Sequence, residues 1–468
     1  MTDFTGMTGA DIAAAVRSGS MTARTAVEAS LARTEKLNPS LNGFTAITAE
    51  RALSRADSVD ADIAAGRDPG PLAGVPFAVK NLFDVKGLST LAGSKINRDL
   101  PPAGEDATLI RRMEAAGAIL TGALNMGEYA YDFTGQNVHD GASRNPHDPD
   151  YMSGGSSGGS GTATASGMVP ITLGSDTNGS IRVPSSLCGL FGLKPTYGRL
   201  SRGGTFPFVA SLDHLGPIAR STADLALSYD AMQGPDPHDP ACTDRAVEPV
   251  TGELERGIEG LRIAKAGGYF ASGALPEAFE AVERVAAAIN ATRTVDIADA
   301  KAARGAAYLI TMAEGASLHL DRMRTRHADY DPDVRDRLIA GAMIPGAWVT
   351  KAQKLRRIFR DTVLKLFEEV DVILAPATPC RAPKIGQQTM VLDGVEMPVR
   401  PNMGIFTQPI SFIGLPVVSV PVWTDGEKLP IGVQLIAAPW REDIVLRLAH
   451  HLEKTGAVRA PVAKHQGS

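Results

Sequence analysis

Hydrophobic positions along the chain follow two periods that alternate over most of its length. A spacing of three to four residues predicts helices at residues 7–36, interrupted near Gly19, and at about 51–65, 106–117 and 160–167. Short apolar runs predict strands at residues 76–79, 118–120, 168–173, 261–264, 370–374, 417–420 and 432–436. Strands that alternate with helices predict an α/β fold with a central mixed, mostly parallel β-sheet.

The 468 residues are predicted to form a single domain. N-terminal helices occupy 1–70, a core follows over 71–234, and the sequence PDPHDP at 235–240 is the best candidate for a linker. Residues 241–369 have more charge and more helical periodicity, which predicts a helical lobe beside the core. Residues 370–468 return to the core.

Composition narrows the class of protein. The formal net charge is -5 with signs interspersed, which argues against a nucleic-acid-binding surface. Cys188, Cys242 and Cys380 lie far apart and are odd in number, which disfavours a disulfide framework and favours a reducing, cytoplasmic location. No signal peptide is visible, and the uncharged stretch 401–424 contains three prolines, so no membrane association is expected.

Two glycine-rich stretches and one lysine carry the candidate chemistry. Residues 154–160 read GGSSGGS, residues 174–182 read GSDTNGSIR, and Lys80 ends an apolar run. Glycine loops let backbone N–H groups gather around an anion. A serine in such a loop, Ser180, becomes a nucleophile if a neighbouring base takes its proton, and a buried lysine is neutral enough to be that base. The candidate oxyanion-binding groups are Thr177, Asn178, Gly179 and Ser180.

These residues also allow other interpretations. A Gly/Ser-rich stretch alone is most often a flexible loop, and a lysine after an apolar run is usually a strand end. A nucleophile elbow matches at Ser156 and at Ser157, but no strand precedes it, so it is rejected. The nine histidines are scattered without metal-binding spacing, so no metal is expected. His214 next to Asp213 is the one candidate for a histidine base, and a structural role is favoured because Lys80 already supplies a base.

Lys80 and the two glycine loops, in this order, resemble the amidase signature family of Ser-Ser-Lys amide hydrolases. The resemblance extends from the N-terminal helices to PIGVQ at 430–434. It implies the amidase signature fold, a sheet covered by helices on both faces, and no cofactor. It also implies Ser180 as the acylated nucleophile, Ser156 as a bridging serine whose bond to Gly155 is cis, and Lys80 as the base. Asp176 and Arg182 are expected to hold the nucleophile loop in shape.

Within the family, four segments resemble the branch that hydrolyses 1-carboxybiuret in s-triazine breakdown. They are LAGSKINR at 91–98, TNGS at 177–180, SLDHLGP at 211–217 and AMQGPDP at 231–237. This resemblance implies a small amide substrate and a homodimer. A small companion subunit bound to this homodimer is left open.

Two alternatives to that branch stay open. The A subunit of glutamyl-tRNA amidotransferases shares the catalytic core, but it usually carries cysteine where this chain has Ala92. An inactive binding protein of the same fold is the other alternative, and the complete set of Lys80, Ser156 and Ser180 argues against it.

Two further expectations concern specificity. The family often has glycine where this chain has Asn178, so the space over the oxyanion should be narrower, and the amide is available to the substrate. A carboxylated substrate requires a cation, for which Arg322 and Arg324 are the candidates, although a solvated helix face is the favoured interpretation for each one alone.

Overall fold

Most of the apolar runs form strands of one large sheet. The computed structural model describes residues 5–424 and 426–464. The strands in these residues are β1 (Phe44–Ile47), β2 (Pro76–Lys80), β3 (Ile119–Leu124), β4 (Ile171–Asp176), β5 (Phe191–Lys194), β6 (His214–Ala219), β7 (Ile263–Ala266), β8 (Arg293–Val295), β9 (Val372–Pro376), β10 (Thr389–Leu392), β11 (Val395–Pro398), β12 (Val417–Val422) and β13 (Ile431–Ala437). All seven predicted strands are present, with ends shifted by a few residues.

The helices begin at capping residues where the sequence supplies them. Thr8 and Asp11 form a capping box at the first helix, Thr22 caps the second, and Gly19 lies between them with φ +73°. The α-helices in the described residues are α1 (Gly9–Arg17), α2 (Ala23–Leu41), α3 (Ala49–Ala64), α4 (Thr108–Ala115), α5 (Gly158–Ala165), α6 (Arg182–Cys188), α7 (Thr222–Met232), α8 (Pro276–Ala288), α9 (Ala300–Arg326), α10 (Pro332–Ala342), α11 (Gly346–Leu366), α12 (Val399–Asn402), α13 (Gln408–Phe412) and α14 (Glu442–Lys454). The predicted interruption near Gly19 is therefore confirmed.

The sheet is mixed, as predicted. Eleven strands follow the order β1-β3-β2-β4-β6-β5-β12-β13-β9-β7-β8, and β10 pairs with β11 apart from them. Parallel pairing is confined to two groups, β3-β2-β4 and β9-β7-β8, so four parallel pairs stand beside six antiparallel ones among the described strands. The central strands pair antiparallel because β5 and β6, and likewise β12 and β13, follow each other with no helix between them.

Helices flank this sheet and bury it. All residues of β4, β12 and β13 are buried, which is why β12 and β13 are mostly apolar along their length. Helix α5 contacts β4, α6 contacts β5, β12 and β13, and α14 contacts β12 and β13. No helix in the described part of the chain is both long enough and apolar enough to cross a membrane.

The segment predicted as a linker is held against the core. Asp236 and Asp239 are 7% and 4% exposed. Asp239 forms an ion pair with Arg202 at 2.8 Å, and Ser201 donates to Asp236. The following lobe joins the same sheet, because β7 pairs with β9 and carries β8 at the edge. Carboxylates in a Pro-rich segment are expected to face solvent, but in the structure Asp236 and Asp239 have partners within the protein.

Candidate active site

Two parallel strands bring Lys80 next to the end of β4. Strand β2 pairs with β4 in parallel, with Val79 opposite Leu173. The carboxyl ends of parallel strands meet at the same edge of a sheet, where ligand sites form. Lys80 is the last residue of β2, and Ser175 is the penultimate residue of β4.

The Lys80 ammonium group lies between two serine hydroxyls. Its Nζ donates to Ser156 Oγ at 2.7 Å and to Ser175 Oγ at 2.8 Å. The side chain is fully buried. Burial lowers the pKa of Lys80 to about 7, although nearby carboxylates, Asp176 first, act against this shift. At neutral pH a large fraction of Lys80 is therefore unprotonated and able to accept a proton.

The loop that carries Ser156 is fixed by backbone contacts. The Gly155–Ser156 peptide bond is cis. Gly155 N donates to the Phe133 carbonyl at 2.9 Å, and Gly127 N donates to the Ser156 carbonyl at 3.1 Å. A Cβ on Gly155 would lie 2.4 Å from Asp132 Oδ2, so the close approach of the two loops requires glycine there.

The loop that carries Ser180 connects β4 to α6. Ser180 is 3% exposed. Gly179 has φ +143°, and a Cβ there would lie 2.1 Å from Thr407 Oγ1. Thr407 Oγ1 donates to the Asn178 carbonyl at 2.7 Å, and Thr177 Oγ1 donates to Asp213 at 2.6 Å. Two hydrogen bonds to other segments, with the close approach of Thr407 to Gly179, thus hold the loop just before Ser180.

Gly174 places the two serine loops beside each other. A Cβ on Gly174 would lie 2.9 Å from Ser157 Oγ and 3.4 Å from Ile181 Cγ1. Ser157 and Ile181 each follow one of the candidate catalytic serines. Ser157 Oγ also donates to the Ser175 carbonyl at 3.2 Å. The structure therefore brings Lys80 and the two serine loops together at the end of β4.

Asp176 and Arg182 form a buried ion pair under the nucleophile loop. Both side chains are fully buried, and Arg182 donates two hydrogen bonds of 2.9 Å to the carboxylate. Arg182 also donates to Gln434 Oε1 at 2.6 Å. Burial alone would raise the pKa of Asp176, but the charge and hydrogen bonds of Arg182 lower it below its ordinary value. Asp176 is therefore a held anion and a poor proton acceptor.

In the side-chain amide of Asn178, the nitrogen is hydrogen-bonded and the oxygen is unpaired. Its Nδ2 donates to Thr311 Oγ1 of α9 at 3.0 Å. Its Oδ1 is buried without a hydrogen-bond partner. The expectation that this amide is available to a substrate therefore concerns the oxygen.

His214 makes hydrogen bonds to the backbone only. Its Nδ1 lies 2.6 Å from the Leu212 carbonyl and 3.0 Å from the Asp176 carbonyl, so this nitrogen carries the proton. Burial lowers the pKa of His214 well below its ordinary value. Among the described residues no group of three His, Cys, Asp or Glu side chains is arranged to hold a metal ion.

The two arginines suggested for a substrate carboxylate lie in different surroundings. The Arg324 side chain is 71% exposed and lies 3.3 Å from Asp321, one turn earlier in α9. Arg322 is partly buried, donates to Asn97 Oδ1 at 3.1 Å and stacks 5.4 Å from the Phe206 ring centroid. Arg324 thus lies on a solvated helix face, and the structure does not bring it to the serine loops.

Arg337 of α10 is a cation that no sequence pattern singles out. Its guanidinium lies 3.8 Å from the centroid of the Tyr131 ring and donates to the Tyr131 carbonyl at 2.6 Å. It forms no ion pair with any described residue, its Nε donates to the Asp333 carbonyl at 2.8 Å, and burial lowers its pKa. The Tyr131 hydroxyl is buried without a partner. Arg337 lines a cavity of about 480 Å³ together with Arg400 and with three carboxylates, Asp331, Asp333 and Asp336.

Comparison with known proteins covers nearly the whole chain. The family model described as Amidase matches residues 25–446. AtzE of Pseudomonas sp. (strain ADP), a component of 1-carboxybiuret hydrolase, is 52% identical over 96% of this chain and 98% of that protein. The A subunit of the glutamyl-tRNA(Gln) amidotransferase of Azotobacter vinelandii (strain DJ / ATCC BAA-1303) is 39% identical over 91% of this chain and 92% of that protein. A solved structure, described as an unexpected vestigial protein complex that reveals the evolutionary origins of an s-triazine catabolic enzyme, has a TM-score of 0.96 at 52% identity over 97% of this chain and 100% of that chain.

Proposed function

The chain belongs to the amidase family of carbon–nitrogen hydrolases, and from this membership we propose that it releases ammonia from a small amide through an acyl-enzyme on Ser180. The observation that carries the proposal is the buried Lys80 Nζ, 2.7 Å from Ser156 Oγ. Burial lowers the pKa of Lys80 to about 7, which suits a base near neutral pH, and its hydrogen bond to a serine hydroxyl gives it a proton to accept.

In the proposed reaction, neutral Lys80 accepts a proton from Ser156 while Ser156 accepts one from Ser180. Ser180 Oγ then bonds to the amide carbon, and the backbone N–H groups of residues 177–180 stabilise the oxyanion, with about 2.7–4 kcal/mol per donor in comparable sites. The carbon–nitrogen bond breaks as Ser156 gives its proton to the leaving nitrogen and regains one from Lys80. Water, deprotonated through the same relay, attacks the acyl group, and Ser180 regains its proton as the acid leaves.

Activity is expected to fall below about pH 7. Only the unprotonated form of Lys80 accepts a proton, and burial lowers its pKa to about 7, so each pH unit below that value should reduce kcat/KM about tenfold. The measurement is kcat/KM for ammonia release between pH 5 and 9. A profile that stays flat down to pH 5 would contradict a lysine base.

We propose 1-carboxybiuret as the substrate, since AtzE, a subunit of 1-carboxybiuret hydrolase, is 52% identical over almost the entire chain. Its carboxylate requires a cation, and we propose Arg337, because it lacks an ion pair within the described residues and lies against Tyr131, whose hydroxyl lacks a partner among them. A guanidinium and a phenol together supply the donors that a carboxylate accepts. Arg322 remains a second candidate.

The comparison of 1-carboxybiuret with biuret tests this assignment, because the two differ only in the carboxylate. Arg337→Leu should raise KM for 1-carboxybiuret about 10- to 100-fold, as expected for loss of a hydrogen bond between charged groups, and leave KM for biuret nearly unchanged. Arg324→Leu, on the exposed face, is the matched control and should change neither. Equal effects of Arg337→Leu on both substrates would place the carboxylate elsewhere.

Glutamine hydrolysis is the second candidate function, supported by the 39% identity to the A subunit of an amidotransferase. Faster ammonia release from glutamine than from 1-carboxybiuret by the same preparation would favour it. The related structure described as a vestigial protein complex supports a companion chain for this protein, so both assays should be repeated with co-expressed partner candidates. The homodimer stays a prediction.

A further inference from the structure

Asn178 carries an acceptor that no residue in the described part of the chain satisfies. Asn178 is only 6% exposed, and its side-chain Oδ1 is buried without a hydrogen-bond partner among the described residues. Buried polar atoms are almost always paired, because leaving one unpaired costs folding free energy. An unpaired acceptor two residues before the proposed nucleophile is therefore best explained by a partner that arrives with the substrate.

Hydrogen bonds of the side chain and of the backbone of Asn178 together fix the position of this oxygen. The side-chain Nδ2 donates to Thr311 Oγ1 at 3.0 Å, and the backbone carbonyl accepts from Thr407 Oγ1 at 2.7 Å. The NH₂ end of the amide is thus tied to α9, which leaves Oδ1 as the free end. Ser180 is itself only 3% exposed, so a substrate that reaches its hydroxyl must pack closely against its neighbours in the loop.

Resting on the proposed function, we propose that Asn178 Oδ1 accepts a hydrogen bond from a substrate N–H next to the scissile carbonyl, and that it makes the enzyme selective for ureides over alkyl amides. A ureide carbonyl has nitrogen on both sides, so one N–H remains on the acyl group after the other nitrogen leaves. An alkyl amide has CH₂ at that place and leaves Oδ1 unpaired. Sites built around a hydrogen bond discriminate strongly against substrates that lack the donor.

Biuret and malonamide are a matched pair for the test, because the bridging N–H of one is CH₂ in the other. The quantity measured is the ratio of kcat/KM for biuret to that for malonamide, in each variant relative to wild type. Asn178→Leu keeps the size but removes the acceptor, and we expect it to reduce this ratio at least 30-fold. Asn178→Asp keeps an acceptor and should retain the preference.

Thr311→Val provides an independent variant, since it removes the group that orients the amide without touching the substrate. It should reduce the ratio less than Asn178→Leu does. If either compound turns over too slowly, the ratio of their Kd values for the Ser180→Ala protein replaces kcat/KM. An unchanged ratio in Asn178→Leu overturns the inference but leaves the proposed function standing. Persistent turnover in Ser180→Ala overturns the proposed function instead.

Discussion

Ser180→Ala should reduce kcat for ammonia release by about 10⁶-fold, the order of loss seen when a serine nucleophile is removed from a hydrolase. The expected cause is that no acyl-enzyme forms, while backbone donors and substrate contacts remain. The hydroxyl itself adds little to packing, so the variant should fold. Ammonia release under saturating substrate measures the loss, and mass spectrometry of acid-quenched protein should find the acyl group on Ser180 only in wild type.

Ser166→Ala is the matched control for this substitution. Ser166 is fully buried at the end of α5, and its hydroxyl donates to the Ala163 carbonyl at 3.2 Å. It contacts neither Lys80 nor the nucleophile loop, so its variant should keep the wild-type rate. Undiminished ammonia release by Ser180→Ala, with a wild-type thermal transition, would exclude the acyl-enzyme on Ser180.

The parts of the site that lie within short segments are predictable from the sequence. Lys80 closes an apolar run, and that run is β2, because a strand buried on both faces is apolar along its length. The glycine loops are recognisable because positions such as Gly155 and Gly179 leave no room for a Cβ. The family and the α/β class follow from these local patterns and are confirmed.

The contacts that join distant segments are not predictable in this way. Ser175 belongs to the second glycine-rich stretch, but nothing in the sequence shows that it is the second partner of Lys80. Thr311 and Thr407 hold Asn178 from positions far along the chain, and hydrophobic periodicity carries no information on such pairings. The fold is needed to bring them together.

The arginines of the helical lobe cannot be told apart by sequence for a related reason. Helices α9 and α10 carry charges on several faces, so the spacing of arginines does not tell which face meets the core. Arg324 lies in a charged run that suggests an anion site, and in the structure its side chain is 71% exposed. Arg337, in an equally ordinary run, packs on Tyr131 at 3.8 Å. A partly buried cation such as Arg337 differs from a solvated one only through its tertiary neighbours.

The protein has two fully buried lysines among its described residues, and only one of them touches serine hydroxyls. Lys194 donates to the carbonyls of Pro195 and Leu415, whereas Lys80 donates to Ser156 and Ser175. Burial lowers the pKa of both to about 7. A low pKa therefore does not by itself identify the base, and the hydrogen-bond partners decide.

Lys80→Met should accordingly reduce kcat/KM by about 10³-fold or more, within the upper range for loss of a general base. Its residual activity should lose the fall below about pH 7, because protonation of Lys80 is the proposed cause of that fall. For Lys194→Met, if it folds, kcat/KM should stay within tenfold of the wild-type value and should still fall below about pH 7, on the acid limb of the profile. Burying the ammonium costs folding free energy, so Lys80→Met should unfold at or above the wild-type temperature, which separates lost chemistry from lost structure. An acid limb that persists in Lys80→Met and disappears in Lys194→Met would move the base to Lys194.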